Sequence, residues 1–260
     1  MTGLRVSTRR DEIRAGLEPV IAADPVRGTV FGTQLLGLTD TAWLARNGRG
    51  VAARSGAEFP VVVLDWTDGL DELAALLTDL GDVVAVNSVP PVADVLAAAL
   101  GWTRARVHDQ RLFRLDELTS PDVPGRARRA DGTDADLIAG RVMAFAEEAG
   151  VPRHGMADRA RAMAAAGECW LWEDAGEVVA LAGRRPPVFG SARIGPVHTP
   201  PEFRGHGYGS AVTAAATADV IEDGAIPVLF TDLANPVSNS IYPKLGYYPV
   251  EDRRFIDRPG

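Results

Sequence analysis

The sequence predicts an α/β fold with helices on both faces of a sheet. Three observations in the second half carry that expectation. Apolar residues switch between helical and strand-like spacing, Gly and Pro punctuate the switches, and the order is two helices, three strands, helix, strand, helix, strand. In Asp134–Gly150, Leu137, Ile138, Val142, Met143 and Phe145 recur near helical spacing, with Gly150 as a stop. Asp158–Ala166 is a second short helix. Glu168–Asp174, Glu177–Gly183 and Ser191–Thr199 read as strands separated by Gly176 and Arg185–Pro187. Gly207–Asp223 is a helix ended by Gly224, and Ile226–Thr231 a buried strand. Asn235–Leu245 is another helix and Tyr247–Phe255 a last strand. In the first half, Thr41–Ala53 and Glu58–Trp66 supply strands and Asp71–Leu80 a helix.

Composition narrows the function class. Of the 260 residues, 46% are hydrophobic and 24% charged, as in an ordinary globular protein. No apolar run approaches the ~18 residues of a membrane span, so no membrane partner is expected. Met1–Glu12 carries Arg5, Arg9, Arg10, Asp11 and Glu12 and lacks the apolar core of a secretory signal. Cys169, the single cysteine, excludes an internal disulfide and a thiolate metal cluster. A reducing cytoplasm, a monomer or homodimer, and no metal are the expectations. The net charge of −8 argues against nucleic acid, whose phosphates select a basic footprint. Ser120–Thr133, rich in Pro, Gly, Arg and Asp, reads as a linker at 120–133 between domains at 1–119 and 134–260.

The most informative stretch is Pro201-Glu-Phe-Arg-Gly-His-Gly-Tyr-Gly-Ser210, between a strand and a helix. Glycines at 205, 207 and 209 allow a tight turn that brings backbone N–H groups close to a ligand. A helix beginning near Gly207 aims its positive end at the same spot, which suits a pyrophosphate. Neither the Rossmann G-x-G-x-x-G nor the Walker G-K-[ST] pattern occurs there.

Arg204-x-x-Gly207-x-Gly209 resembles the Arg/Gln-x-x-Gly-x-Gly/Ala signature of the GNAT acetyltransferase superfamily. The resemblance extends through Asn235–Tyr242 and Tyr242-Pro-Lys-Leu-Gly-Tyr247 and covers about Asp134–Asp257. It implies a mixed, mostly antiparallel central sheet and acetyl-CoA as co-substrate. It also implies transfer of an acetyl group to a primary amine on a small molecule or peptide. The amides of Gly205, His206, Gly207, Tyr208, Gly209 and Ser210, with Arg204, would hold the pyrophosphate. Val197, His198 and Thr199 would splay from the neighbouring strand and pair with the pantetheine arm. The tyrosine ahead of the Gly-aromatic pair, Tyr242, would protonate the leaving thiolate.

Local chemistry agrees with that role. A tyrosine of ordinary pKa ~10 is protonated at neutral pH and can donate. Asn235, Asn239 and Tyr242 share one helix face, with Tyr242 about 10 Å along the axis from Asn235, a reach that suits pantetheine contacts. Pro243 removes one helical hydrogen bond beside Tyr242. For the general base, His198 has a fitting pKa and lies on the strand before the loop, although alternation can turn it away. Glu168, Glu173 and Glu202 are weaker candidates. Trp170 and Trp172 share one strand face and read as core or as a wall of the acceptor pocket, and Cys169 reads as a buried apolar residue. A catalytically inactive acyl-CoA-binding regulatory module is the alternative function.

The first half echoes the second. Pro91, Val92, Leu100 and Gly101 match Pro236, Val237, Leu245 and Gly246 at a constant offset of 145 residues. The same offset maps Arg204–Gly209 onto Phe59–Leu64, which has no Gly-x-Gly and no helix start to receive a phosphate. Ala97 then stands for Tyr242 and Pro90 for Asn235. The expectation is a tandem pair of GNAT-like domains, the first degenerate.

Overall fold

The computed structural model describes residues 3–150 and 155–259. The first half runs β1 (Arg5–Ser7), α1 (Arg10–Ala23), α2 (Thr29–Leu35), β2 (Trp43–Asn47), β3 (Gly50–Arg54), β4 (Val61–Leu64), α3 (Leu70–Leu80), β5 (Ala85–Ser88), α4 (Pro90–Ala99) and β6 (Arg106–Leu115). The second runs β7 (Arg126–Arg129), α5 (Ala135–Glu148), α6 (Met156–Ala165), β8 (Cys169–Asp174), β9 (Glu177–Arg184), β10 (Ser191–His198), α7 (Tyr208–Glu222), β11 (Ile226–Asp232), α8 (Pro236–Lys244) and β12 (Tyr247–Asp257). The two halves therefore use one order of elements. They also use one pairing scheme. β1–β2, β2–β3 and β3–β4 are antiparallel and β4–β5 parallel. Likewise β7–β8, β8–β9 and β9–β10 are antiparallel and β10–β11 parallel. The mixed, mostly antiparallel α/β architecture expected from the sequence is present.

Two compact units form, but their borders differ from the sequence expectation. The first unit takes the chain up to Leu112, then Phe230–Pro236, then everything from Pro249 onward. The second takes Phe113–Leu229 and Val237–Tyr248. The physical reason is strand exchange. In the first unit the sheet order is β1-β2-β3-β4-β5-β12, and β12 pairs antiparallel with β5 from Arg254↔Ser88 to Asp257↔Ala85. In the second unit the order is β6-β11-β10-β9-β8-β7, with β6 contributing Phe113–Leu115. Each unit thus completes its sheet with a strand from the other half of the sequence. Nor is 120–133 a bare linker: it contains β7, whose Arg126–Arg129 pair with Glu173–Trp170 of β8.

Each unit has a core on either face of its sheet, set by strand alternation. In the second unit Cys169, Leu171 and Leu181 pack with Ile138, Val142 and Met163 of α5 and α6. Trp170, Trp172, Ala180 and Ala182 face the other way, toward Val212, Ala216 and Tyr242 of α7 and α8. In the first unit Leu44, Val51, Val62 and Leu64 meet Ile13, Leu17 and Phe31 of α1 and α2. Trp43, Val61, Val63 and Val86 meet Leu73, Leu77 and Leu96 of α3 and α4. Where the sequence suggested strand over Thr41–Ala53, the chain forms the hairpin of β2 and β3, turning at Gly48 with φ +60°.

Candidate functional site

β10 ends at His198, and the chain passes through Thr199 and a short 3-10 turn at Pro201–Phe203 before α7 begins at Tyr208. Gly205 and Gly207 have φ of +85° and +82°, the left-handed region that side chains disfavour. Gly207 caps α7. A Cβ at Gly207 would lie 3.0 Å from Val123 Cγ2, and one at Gly209 would lie 3.1 Å from Thr199 Oγ1. Among the described residues, the N–H groups of Gly205 to Ser210 have no protein acceptor; the first helical bond there runs from Ala211 N to Gly207 O. Six amides in a turn at a helix N-terminus make a cradle for an anion. The pyrophosphate expected from the sequence fits these residues.

The strand before the loop offers further unused backbone. β10 pairs with β11 at Ser191↔Ile226, Ala192↔Pro227 and Arg193↔Val228, and the pairing stops there although β10 continues to His198. On its other edge, the register with β9 shifts between Ile194 and Val197. The expected departure of Val197 and His198 from the neighbouring strand is therefore present. These residues fit an extended pantetheine arm.

Several side chains fix this frame. Arg204 Nε donates to Thr199 O at 2.9 Å, and its Nη2 donates to Glu148 Oε2 at 2.6 Å. The His206 ring stacks on Tyr208 with centroids 5.5 Å apart. The Tyr208 hydroxyl donates to Asp174. Deeper along α7, buried Asp219 accepts from Arg184 Nη1 at 2.6 Å, from Trp170 Nε1 at 3.2 Å and from Arg129. This network ties α7 to β7, β8 and β9. It also shows that Trp170 and Trp172 are scaffold: Trp172 Nε1 donates to Pro124 O.

His198 lies opposite Leu181 in the β9–β10 pairing and so shares its face, toward α5 and α6. The ring is buried, and neither nitrogen has a hydrogen-bond partner among the described residues. Nε2 stands 3.7 Å from Glu148 Oε1 at the end of α5. Burial holds the imidazole below its ordinary pKa near 6.5, and the Glu148 carboxylate opposes that shift. Glu148 was not legible as a site residue: in sequence it is one more acidic residue ending an amphipathic helix. Of the carboxylates considered from sequence, Glu173 is tied to Arg126 and Arg128. Those guanidinium groups keep it well below the usual carboxylate range, so it is a poor base.

Tyr242 is 8% exposed, with Phe113 and Tyr247 rings 5.9 and 6.1 Å from its own. Burial pushes its hydroxyl up to about 12, against the pull of the Ser238 hydroxyl. Tyr247 bonds Thr217 Oγ1 at 2.7 Å. Pro243 is accommodated in the last turn of α8, where Leu245 N reaches the carbonyls of Ile241 and Tyr242. Gly246 is forced: its φ is +94°, and a Cβ there would meet Glu117 O at 1.8 Å. Asn239 and Tyr242 belong to the second unit, whereas Asn235 falls in the first unit's segment Phe230–Pro236. Cys169 is fully buried and its thiol is pushed up to about 12 by burial, which makes it an inert packing residue.

Comparison with known proteins agrees with this geometry. Residues 173–256 match the family described as FR47-like protein. No curated protein matches the chain by sequence. Among solved structures, a GNAT-family acetyltransferase from Colwellia psychrerythraea has a TM-score of 0.63 at 12% identity, covering 99% of this chain and 100% of that one. A GCN5-related N-acetyltransferase from Sphaerobacter thermophilus has a TM-score of 0.67 at 14% identity, covering 99% and 96%. A tandem GNAT protein from the clavulanic acid biosynthesis pathway has a TM-score of 0.56 at 16% identity, covering 99% of each chain. The chain has the GNAT fold. Among the described residues, no helix is long and apolar enough to cross a membrane.

Proposed function

We propose that the protein is an acetyl-CoA-dependent N-acetyltransferase acting on a primary amine, with its site in the second unit. One observation carries the reading. Among the described residues the amides of Gly205–Ser210 stand without acceptors at the start of α7, after a strand whose pairing with β11 stops at Arg193. Acetyl-CoA, when bound, supplies the acyl group and a thiolate leaving group. The loop amides and Arg204 hold its pyrophosphate by charge-assisted hydrogen bonds. The backbone of Val197, His198 and Thr199 aligns the pantetheine as an added strand, and Asn239 assists from α8.

His198 is the base: its depressed pKa leaves the ring neutral at pH 7 and able to take the proton that the attacking amine loses. The amine nitrogen forms a bond to the acyl carbon as the carbon–sulfur bond breaks. Tyr242 gives its phenolic proton to the departing sulfur. Its raised pKa keeps the phenol protonated and available at neutral pH, and the proton passes to the sulfur as the carbon–sulfur bond breaks. The tandem relationship of the two units is part of the same reading, supported by their shared element order.

The direct test is release of CoA from acetyl-CoA across a panel of amines, alongside calorimetric titration with CoA. Binding with turnover is expected. Binding without turnover on any amine, unchanged by Tyr242→Phe, would instead identify a catalytically inactive acyl-CoA-binding regulatory module. No binding at all refutes both.

A further inference from the structure

The Glu148 carboxylate is shared between two groups with different tasks. Its Oε2 holds Arg204 of the phosphate loop at 2.6 Å, and its Oε1 stands 3.7 Å from Nε2 of buried His198. The second distance is too long for a hydrogen bond, so the free protein gives Glu148 to Arg204. Glu148 is about half exposed and ends a helix, so its side chain is free to turn. Arg204, the residue before the loop glycines, is also about half exposed and holds its guanidinium between Thr199 O and Glu148.

We propose that Glu148 is a positioning residue that couples cofactor loading to the base: the pyrophosphate takes Arg204, and Glu148, released, turns to His198. This rests on the assignment of the loop as the pyrophosphate site and of His198 as the base. An anion in the loop competes with Glu148 for the same guanidinium, and a pyrophosphate is the stronger and more highly charged acceptor. Beside the freed carboxylate stands the imidazole, whose two nitrogens have no hydrogen-bond partner among the described residues. A carboxylate within hydrogen-bond reach favours the protonated ring, making His198 a better proton acceptor once the acyl donor is bound. The other charged groups acting on the ring are Arg141 of α5 and Arg204, both opposing protonation. Glu202 acts on Arg141 in turn. Moving Arg204 toward the phosphates lessens one of these two oppositions as well.

The test follows His198 itself by NMR in protein labelled at histidine, with His198→Asn to assign its signal among the four histidines. The titration midpoint is measured with and without CoA, which lacks the acyl group and cannot react. In the wild type the midpoint is expected to rise by about one pH unit on loading. In Glu148→Gln most of that rise should vanish, leaving only the direct effect of the phosphate charges. In Arg204→Gln the free protein should already show the raised midpoint, because Arg204 no longer holds Glu148. Calorimetry should show Glu148→Gln binding CoA several-fold more tightly, since a competitor for Arg204 is gone. Equal rises in wild type and Glu148→Gln, no rise in the wild type, or weakened CoA binding by Glu148→Gln would each overturn the coupling. A wild type that does not bind CoA would instead overturn the function proposed above, and the coupling with it.

Discussion

The segment β10–loop–α7 and the segment β4–loop–α3 occupy the same place in their units, and they treat their backbones in opposite ways. Both run from a strand into a helix capped by a left-handed glycine, Gly207 in one and Gly69, with φ +68°, in the other. In both, parallel pairing with the next strand stops early, after Arg193↔Val228 and after Val62↔Asn87. In the second unit the amides of Gly205–Ser210 have no protein acceptor among the described residues. In the first, the equivalent opening is filled by a side chain. Arg253 of β12 is 1% exposed, and its Nη2 donates to Val63 O and Asn87 O at 3.0 Å each. Its Nε donates to Asn87 Oδ1 at 2.7 Å and its Nη1 to Glu251 Oε1 at 2.7 Å. Ser88 Oγ adds a second donor to Val63 O. The short loop, Asp65–Gly69, is tied down through Asp65 to Arg27, which also holds Glu251. A buried backbone must find partners. The difference teaches that one scaffold becomes a site or a support according to whether the chain or a ligand supplies them.

The largest expected effect breaks the comparison at α8 and α4. Tyr242→Phe should lower kcat by ~10²–10⁴ while leaving CoA affinity intact, the loss typical of a positioned acid. Its counterpart Ala97 is buried packing, so Ala97→Gly should touch stability alone. Steady-state and single-turnover kinetics check the pair, and an unchanged chemical step in Tyr242→Phe would remove the tyrosine from the mechanism.

Next comes the plug. Arg253→Met should cost about 1–3 kcal/mol in denaturant unfolding, because Asn87 O and Oδ1 lose their guanidinium donor in a buried setting, while Glu251 keeps Arg27 and Val63 O keeps Ser88. It should create no second cofactor site, since Asp65 and Asp68 repel phosphate and the loop has one glycine. One CoA per chain is therefore expected by calorimetry in the wild type and in the variant. Two per chain in the wild type would show that the first unit is not closed.

A smaller contrast compares the two caps. Gly207→Val should weaken CoA binding by about tenfold or more (~1.4 kcal/mol), since the side chain strains the turn and crowds Val123. Gly69→Ala should cost about 1 kcal/mol of stability from its positive φ and leave CoA affinity unchanged. Similar affinity losses in both would mean the loop of the second unit has no special role.

The smallest effect is pH dependence. β10 ends in His198 where β4 ends in Leu64, on the corresponding face. His198 has a folded pKa below its ordinary value near 6.5, so the unfolded chain binds that proton more readily. Its contribution to stability is fully present above pH 6.5 and is lost as pH falls through the lower, folded value. Unfolding midpoints measured from pH 7.5 down to 5 should decline less steeply in His198→Phe than in the wild type. Equal slopes would contradict the shift.

Much of the second half was legible in the sequence because its signals are local. Helix and strand periods placed α5, α7, β9 and β11 to within a residue or two of their ends. Gly205, Gly207 and Gly246 announced backbone that only glycine adopts comfortably, and the expected departure of β10 from β11 is present. In the first half the echo around Pro91–Gly101 falls on α4, which has the place of α8 in the order of elements, but the constant offset failed farther upstream. Phe59–Leu64 is not the counterpart of the phosphate loop: its strand residues form β4, the counterpart of β10, and the loop's counterpart is Asp65–Gly69. A helix start is present there too, at Leu70 after Gly69. Both the loop and the helix after it are shorter in the first half, α3 having 11 residues and α7 15, so the offset drifts from 145 at α4 to 138 at the start of α3 (208 − 70) and 134 at the end of β4 (198 − 64). α1 and α2 were missed as well.

What the sequence by itself determined, then, is most elements of the second half and the glycine backbone of the turn before α7, since periodicity, capping and glycine backbone freedom act over a few neighbouring residues. Only the tertiary structure decided which strand completes which sheet, because β5 can accept β12 wherever its hydrogen-bonding edge is open, and sequence distance does not enter that bond. The same holds for the groups that matter most beyond the motifs. Glu148 meets Arg204 and His198 across 56 and 50 positions of chain, and Arg253 meets Val63 and Asn87 from near the C-terminus. Their roles come from a side chain reaching a polar group that folding has buried, and neither residue carries a local signature of that encounter.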